Sequence, residues 1–298
     1  MINQQLNISK FQSWILASRP RTLPAALVPV MVGSALAVHD GKFNFIYSSV
    51  ALLCSVLIQV GTNFTNDLYD YLKGADNENR KGPLRVLVSG LISKKEMTLG
   101  IILVFTTAFL LGLFLVYSTS WMILVVGIVS ILAGLAYTAG PFPLAYNGLG
   151  DVFVFIFFGL VGTCGTYFLH HQSITVESVI ASIPVGALIT NILVVNNYRD
   201  IKEDKEAGKY TLAVKLGEIF SFYQYLVLSL FAFLVPLIFF ALFDYHFLVL
   251  LPLISLPIIF KLIKMLTSKN VDELNKALEL TAKESALFGL LFSIGLIV

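Results

Sequence analysis

Asn66-Asp67-Leu68-Tyr69-Asp70 and Asp200-Ile201-Lys202-Glu203-Asp204 are two acidic stretches in a chain that otherwise reads as membrane. Each closes a long apolar run, and each has asparagines in the turn before it: Asn63 and Asn66 in the first, Asn196 and Asn197 in the second. A carboxylate at the centre of a membrane helix costs about 2.5–3.5 kcal/mol on insertion scales. Acids on two separate helices therefore need a compensating interaction, and a shared divalent metal is the most economical one.

Working outward from these stretches, the rest of the chain is apolar. Hydrophobic residues make up 57% of its 298 positions and charged residues 13%, against about 25% charged in an ordinary soluble domain. This excludes a soluble globular enzyme. Apolar runs of about 20 residues predict an all-α, polytopic protein with transmembrane helices near 22–38, 44–70, 96–117, 120–138, 151–169, 177–200, 218–243, 246–266 and 281–298. Nine spans with the N-terminus inside put 19 of the 20 Lys and Arg residues on the inner side and only Lys42 outside. The positive-inside rule then makes the N-terminus and both acidic stretches cytoplasmic. Residues 1–18 read as an interfacial segment anchored by Trp14. The acidic stretches end the second and sixth spans, an even separation. The expected architecture is a single domain of two parallel four-helix halves plus a ninth helix around a central cavity.

The net charge of +2 follows topology and gives no reason to expect nucleic acid. Cys54 and Cys164 read as small buried hydrophobes. His170 and His171 fall at the outer end of the fifth span and read as interface residues.

Asn63, Asp67 and Asp70 are spaced i, i+4, i+7 and share one helical face, as do Asn196, Asp200 and Asp204, with Asn197 beside them. If the two faces meet, the donors are all oxygens, the chemistry that selects Mg²⁺ and shares it with substrate phosphates. Lys73, Lys81, Arg85, Arg199, Lys202 and Lys209 lie in the same regions and supply positive charge for a phosphate. Asp151 opens the fifth span and admits two roles, helix N-terminal charge complement or proton handling and orientation of a substrate ring. A cation-coupled transporter would instead place its carboxylates near the midplane, whereas these acids lie at the inner ends.

The pattern Asn63-x-x-Asn66-Asp67-x-x-Asp70-x(5)-Asp76, with Asn196-Asn197-x-Arg199-Asp200-x-x-x-Asp204, resembles the two aspartate-rich motifs of the UbiA superfamily of intramembrane prenyltransferases. Supporting stretches are Arg19-Pro20-Arg21-Thr22, Lys73-Gly74-Ala75-Asp76, Gly82-Pro83-Leu84-Arg85, Tyr137-Thr138-Ala139-Gly140-Pro141, Leu149-Gly150-Asp151 and Ala207-Gly208-Lys209-Tyr210-Thr211. Ala139 and Tyr210 depart from the pattern, and residues beyond about 217 carry no motif. The resemblance implies a Mg²⁺-dependent enzyme. Its metal would be held by Asn63, Asn66, Asp67, Asp70, Asp76, Asn196, Asn197, Asp200 and Asp204, and its diphosphate by Lys73, Arg85, Arg199, Lys202 and Lys209. Tyr69, Tyr137, Phe153, Phe157 and Tyr198 are expected to stabilise an allylic cation. The substrates implied are a polyprenyl diphosphate and an aromatic acceptor. The likeness is strongest to the branch using 1,4-dihydroxy-2-naphthoate, with loss of CO₂; 4-hydroxybenzoate and homogentisate are the alternative rings. Prenyl chain length and oligomeric state are not set by these motifs.

Overall fold

The computed structural model describes residues 8–75, 84–268 and 270–298. Among them there is no strand. In chain order the helices are α1 (Lys10–Ser18), α2 (Pro24–His39), α3 (Phe45–Leu72), α4 (Lys94–Ser118), α5 (Met122–Ala136), α6 (Gly150–His171), α7 (Val176–Arg199), α8 (Ile201–Glu206), α9 (Leu212–Leu242), α10 (Phe247–Thr267) and α11 (Val271–Ile297). The middle of α6, Phe155–Cys164, is wound as a π-helix, and Phe247–Ser255 of α10 as a 3₁₀-helix.

Polar residues between apolar runs explain where most of these helices begin. Asn44 caps α3, and Thr211 caps α9. Ser9 with Gln12, Ser93 with Glu96, and Thr175 with Ser178 form reciprocal capping boxes at α1, α4 and α7. Each such cap satisfies N–H groups that the first turn cannot, contributing about 1 kcal/mol. Between α1 and α2, Pro20 and Pro24 interrupt the helix and Arg19 turns the chain at φ +52°, so the pair bends by 52°.

Among the described residues, seven helices are long and apolar enough to cross a membrane, and the bent α1–α2 pair makes an eighth candidate. α5 is apolar but only 15 residues long. Length and composition therefore give at most eight spans, short of the nine expected. The outward faces carry exposed Leu103, Leu110, Leu230 and Leu242, as lipid contact requires. This is a multi-pass membrane protein.

Two apolar clusters build the interior. The larger joins α2, α6, α7, α9, α10 and α11 through residues such as Val32, Leu188, Phe239 and Phe288. The smaller joins α1, α3, α4 and the 84–92 loop through Phe64, Leu68, Ile92, Met97 and Phe105. A central cavity runs between them. Within the larger cluster α6 and α7 touch backbone to backbone, because Gly159 meets Gly186: a Cβ at Gly159 would lie 2.9 Å from both the Gly186 Cα and the Ser182 carbonyl oxygen. Small residues at such crossings are how membrane helices gain packing contact without a hydrophobic drive. Gly159→Val should force the two helices apart at a cost of about 1–3 kcal/mol, read as a lower unfolding temperature of the detergent-solubilised protein.

Candidate active site

The last turns of α3 present Asn63, Asn66, Asp67 and Asp70 to one end of the cavity. Asn63 is held by the α1–α2 turn: its amide donates to the Ser18 carbonyl at 2.9 Å and to Thr22 Oγ1 at 3.2 Å. That turn also aims Arg19, whose left-handed backbone is rare for a residue with a side chain. Arg19 and Arg85 both donate to Asp67 Oδ1, at 3.1 and 3.0 Å, and Asp67 is 3% exposed. A carboxylate this buried is tolerable only when paired. With its amide oriented by its neighbours, Asn66 donates to Asp70 and accepts from Arg19 at 3.2 Å. Asp70 also accepts from the Tyr146 hydroxyl at 2.8 Å.

The second stretch is built differently from its expected continuous helix. α7 ends at Arg199, Asp200 adopts φ −97°, ψ 10°, and α8 starts afresh at Ile201. The Arg199 fork grips both Asp200 oxygens at 2.6 Å each. It donates to Asn196 at 2.9 Å and, across to α11, to Asn275 at 2.9 Å. Asp204 pairs with Lys209 at 3.5 Å, while its buried Oδ2 accepts no hydrogen bond. Burial pushes the Asp204 carboxyl up to about 6; Lys209 opposes the rise, and Asp200 and Asp70 add to it.

Asn196, Asn197, Arg199 and Lys209 line the same cavity as Asn63, Asn66, Asp67, Asp70, Arg19 and Arg85. Asp200 and Asp204 stand behind its wall, which corrects the expectation of one shared donor face. Among the described residues, no group of three or more His, Cys, Asp or Glu side chains is arranged to hold a metal. Asp67 is paired instead with Arg19 and Arg85, and Asp200 with Arg199. Lys73 also lies outside the wall, donating to the Thr138 carbonyl at 3.0 Å and sitting 4.2 Å from the Tyr146 ring centre. Lys202 is exposed and forms no part of the wall. Asp76 and Lys81 lie outside the described residues.

The cavity holds ≈ 910 Å³, and away from the charged end its walls are mainly apolar, with Ser55, Gln59, Ser130 and Thr166 among them. Tyr137, Phe153 and Phe157 line it, with the two phenylalanine rings stacked at 5.9 Å. Tyr69 and Tyr198 do not. Tyr69 packs into the α1–α3–α4 cluster, and Tyr198 is buried in the larger one with its hydroxyl donating to Leu266 at 3.3 Å. Asp151 occupies a small void beside the cavity together with Tyr137, Asn197 and Lys209, and accepts from Gln224 at 3.3 Å. At the opposite end His170 accepts from the Asn44 N–H at 3.1 Å and lies 3.1 Å from the Ser48 hydroxyl, a structural role.

Four participants carry no assignment from sequence. Arg19 was visible only as part of a basic-proline stretch. Tyr146 carries no local signal. Asn275 and its neighbour in the wall, Glu279, sit in a polar segment preceding the last apolar run.

The model of the UbiA prenyltransferase family matches residues 26–283. The chain belongs to the UbiA prenyltransferase family. It is 38% identical to the 1,4-dihydroxy-2-naphthoate octaprenyltransferase of Haemophilus influenzae, over 100% of this chain and 98% of the relative. A UbiA homologue from Aeropyrum pernix shares the fold at a TM-score of 0.71 with 14% identity, covering 91% of this chain and 97% of that one. A homologue from Archaeoglobus fulgidus, solved with DMAPP and Mg²⁺ bound, has a TM-score of 0.64 at 15% identity, covering 96% and 99%. This UbiA-family chain is thus an enzyme, a prenyltransferase.

In this prenyltransferase Arg199 ties three elements together. Arg199→Ala should remove the two guanidinium hydrogen bonds from buried Asp200 and the links to Asn196 and Asn275, at a cost of about 3–5 kcal/mol. Arg199→Lys should restore only part of it, because an ammonium cannot reproduce the planar fork. Thermal unfolding of the two variants beside the native protein checks this.

Proposed function

We propose that this prenyltransferase moves a polyprenyl chain from its diphosphate to 1,4-dihydroxy-2-naphthoate, with loss of diphosphate and CO₂, the step that forms demethylmenaquinol on the way to menaquinone. The observation that carries the reading is a cluster of carboxylates, asparagines and cations at one end of a long apolar cavity, in a chain 38% identical to an enzyme named for that reaction.

The donor chemistry fits Mg²⁺. Side chains that face the cavity at this end offer two carboxylates and four amide oxygens, the donor set of a hard cation. Asp67 and Asp70, with Asn63, Asn66, Asn196 and Asn197, face the cavity and are the residues that would hold it. Bound Mg²⁺ supplies positive charge to the departing diphosphate. Arg19, Arg85, Arg199 and Lys209 add fixed charge around the same end. The allylic C–O bond breaks with its electron pair leaving on the diphosphate. The apolar walls exclude water from the resulting cation, and Tyr137, Phe153 and Phe157 present electron-rich rings to it. The acceptor ring forms the new C–C bond, its carboxylate departs as CO₂, and the electrons return to the ring with no net proton released. Asp151 beside Tyr137 would orient the acceptor.

The same reading has nine passes, counting the short α5, in one domain of two parallel halves. The N-terminus and charged end face the cytoplasm from the cell's inner (plasma) membrane, and the prenyl tail and surrounding lipid share the apolar region. Transfer from a labelled polyprenyl diphosphate, with CO₂ release recorded, tests the acceptor. Turnover with the naphthoate and not with 4-hydroxybenzoate or homogentisate is expected, and the reverse would overturn the assignment. Asp67→Asn and Asp70→Asn should each lower Mg²⁺-dependent kcat by roughly 10²-fold or more, in line with loss of electrostatic stabilisation, while the protein still elutes as a folded species. Chelation should abolish turnover, and added Mg²⁺ should restore it.

A further inference from the structure

Most glycines within the helical bundle are contact points. A Cβ added at Gly33, Gly61, Gly162 or Gly289 would come within 3.0 Å of a neighbouring element, the usual reason for glycine in a membrane helix. Gly112, Gly127 and Gly165 are different. An added Cβ at any of them meets nothing within 4 Å, and none has positive φ. Neither packing nor backbone conformation requires glycine there, although glycine in a helix interior is about 1 kcal/mol less favourable than alanine. All three line the central cavity.

The three also share one depth. α4 and α5 are antiparallel neighbours, and Phe105 and Gly134 meet at the level of Thr62: a Cβ at Gly134 would lie 2.5 Å from Thr62 Oγ1 and 3.7 Å from the Phe105 ring. Gly112 and Gly127 each stand seven residues from that layer, about 10 Å farther from Asp70 at 1.5 Å per residue. Thr62 is itself eight residues from Asp70, about 12 Å along α3. Gly165 lies 14 residues beyond Asp151 on α6, at most about 20 Å from the charged end, because the π-wound middle rises less per residue than an α-helix. Three helices therefore contribute a side-chain-free position roughly 20 Å from the acids. Past that level the wall is bulky again, with Val116, Ile123, Leu124 and Leu169.

We propose that Gly112, Gly127 and Gly165 form a collar that keeps the channel open for long polyprenyl tails and so sets which chain lengths the enzyme accepts. The inference rests on the proposed prenyl transfer. A short allylic tail ends before the collar, and a long one must thread it. The methyl branches of a polyprenyl chain need width, and a side chain projecting from any one wall would narrow the bore.

The experiment compares kcat/KM for geranyl diphosphate and octaprenyl diphosphate in the native enzyme and in Gly112→Leu and Gly127→Leu, with the alanine variants beside them. The octaprenyl-to-geranyl ratio should fall roughly tenfold or more in the leucine variants, a size typical of steric discrimination in an apolar pocket, and by less in the alanine variants. An unchanged ratio, or equal loss with both substrates, would overturn the collar. A native protein that transfers neither chain would instead refute the prenyl-transfer reading on which the collar rests.

Discussion

Charge neutralisation at the end of an apolar bundle is the constraint on which the rest of this structure depends. Asp67, Asp70, Asp200 and Asp204 are all buried, in surroundings too dry to solvate isolated carboxylates. Each is met by a residue from elsewhere in the chain or by an adjacent fork. Asp67 draws Arg19 from the α1–α2 turn and Arg85 from the loop before α4. Asp70 takes Tyr146, Asp200 takes Arg199, and Asp204 takes Lys209. The connections between helices are thereby pulled over one end of the cavity. The interactions that make the acids tolerable also assemble the walls of the site.

The two apolar clusters divide the labour. The larger one packs six helices tightly, with glycine crossings such as Gly159 on Gly186 that leave no space. The smaller one holds α3 and α4 through aromatic and aliphatic contacts. α5 has no buried residue, so it acts as a partition facing the cavity on one side and lipid on the other. A reaction that passes through a carbocation needs such an enclosure, since one water molecule would end it.

Much of the architecture was legible because hydrophobic runs and acidic breaks are one-dimensional signals. The i, i+4, i+7 spacing of Asn63, Asp67 and Asp70 puts them on one face of α3, and all three line one cavity. The second stretch breaks its expected face, because that spacing assumes a helix that stops at Arg199. Tyr69 and Tyr198 were misplaced for a similar reason: an aromatic beside an acid on a helix points to a different face, and only packing tells which face meets the cavity. The last helix hid its reach. Its expected start near 281 marked the apolar part alone, while the observed helix begins at Val271. The polar turns in between carry Asn275 and Glu279 into the site.

That last helix has a consequence for how the enzyme is made. α11 packs extensively on α2 and α7, and its Asn275 completes the hydrogen-bond set of Arg199. A ribosome releases this segment only after all the other helices have entered the bilayer, and chains fold in the order they emerge. A nascent chain therefore carries Asp67, Asp70, Asp200 and Asp204 before α11 closes the pocket beside them. Pocket closure waits on α11, and a bundle without that helix is an unfinished lock.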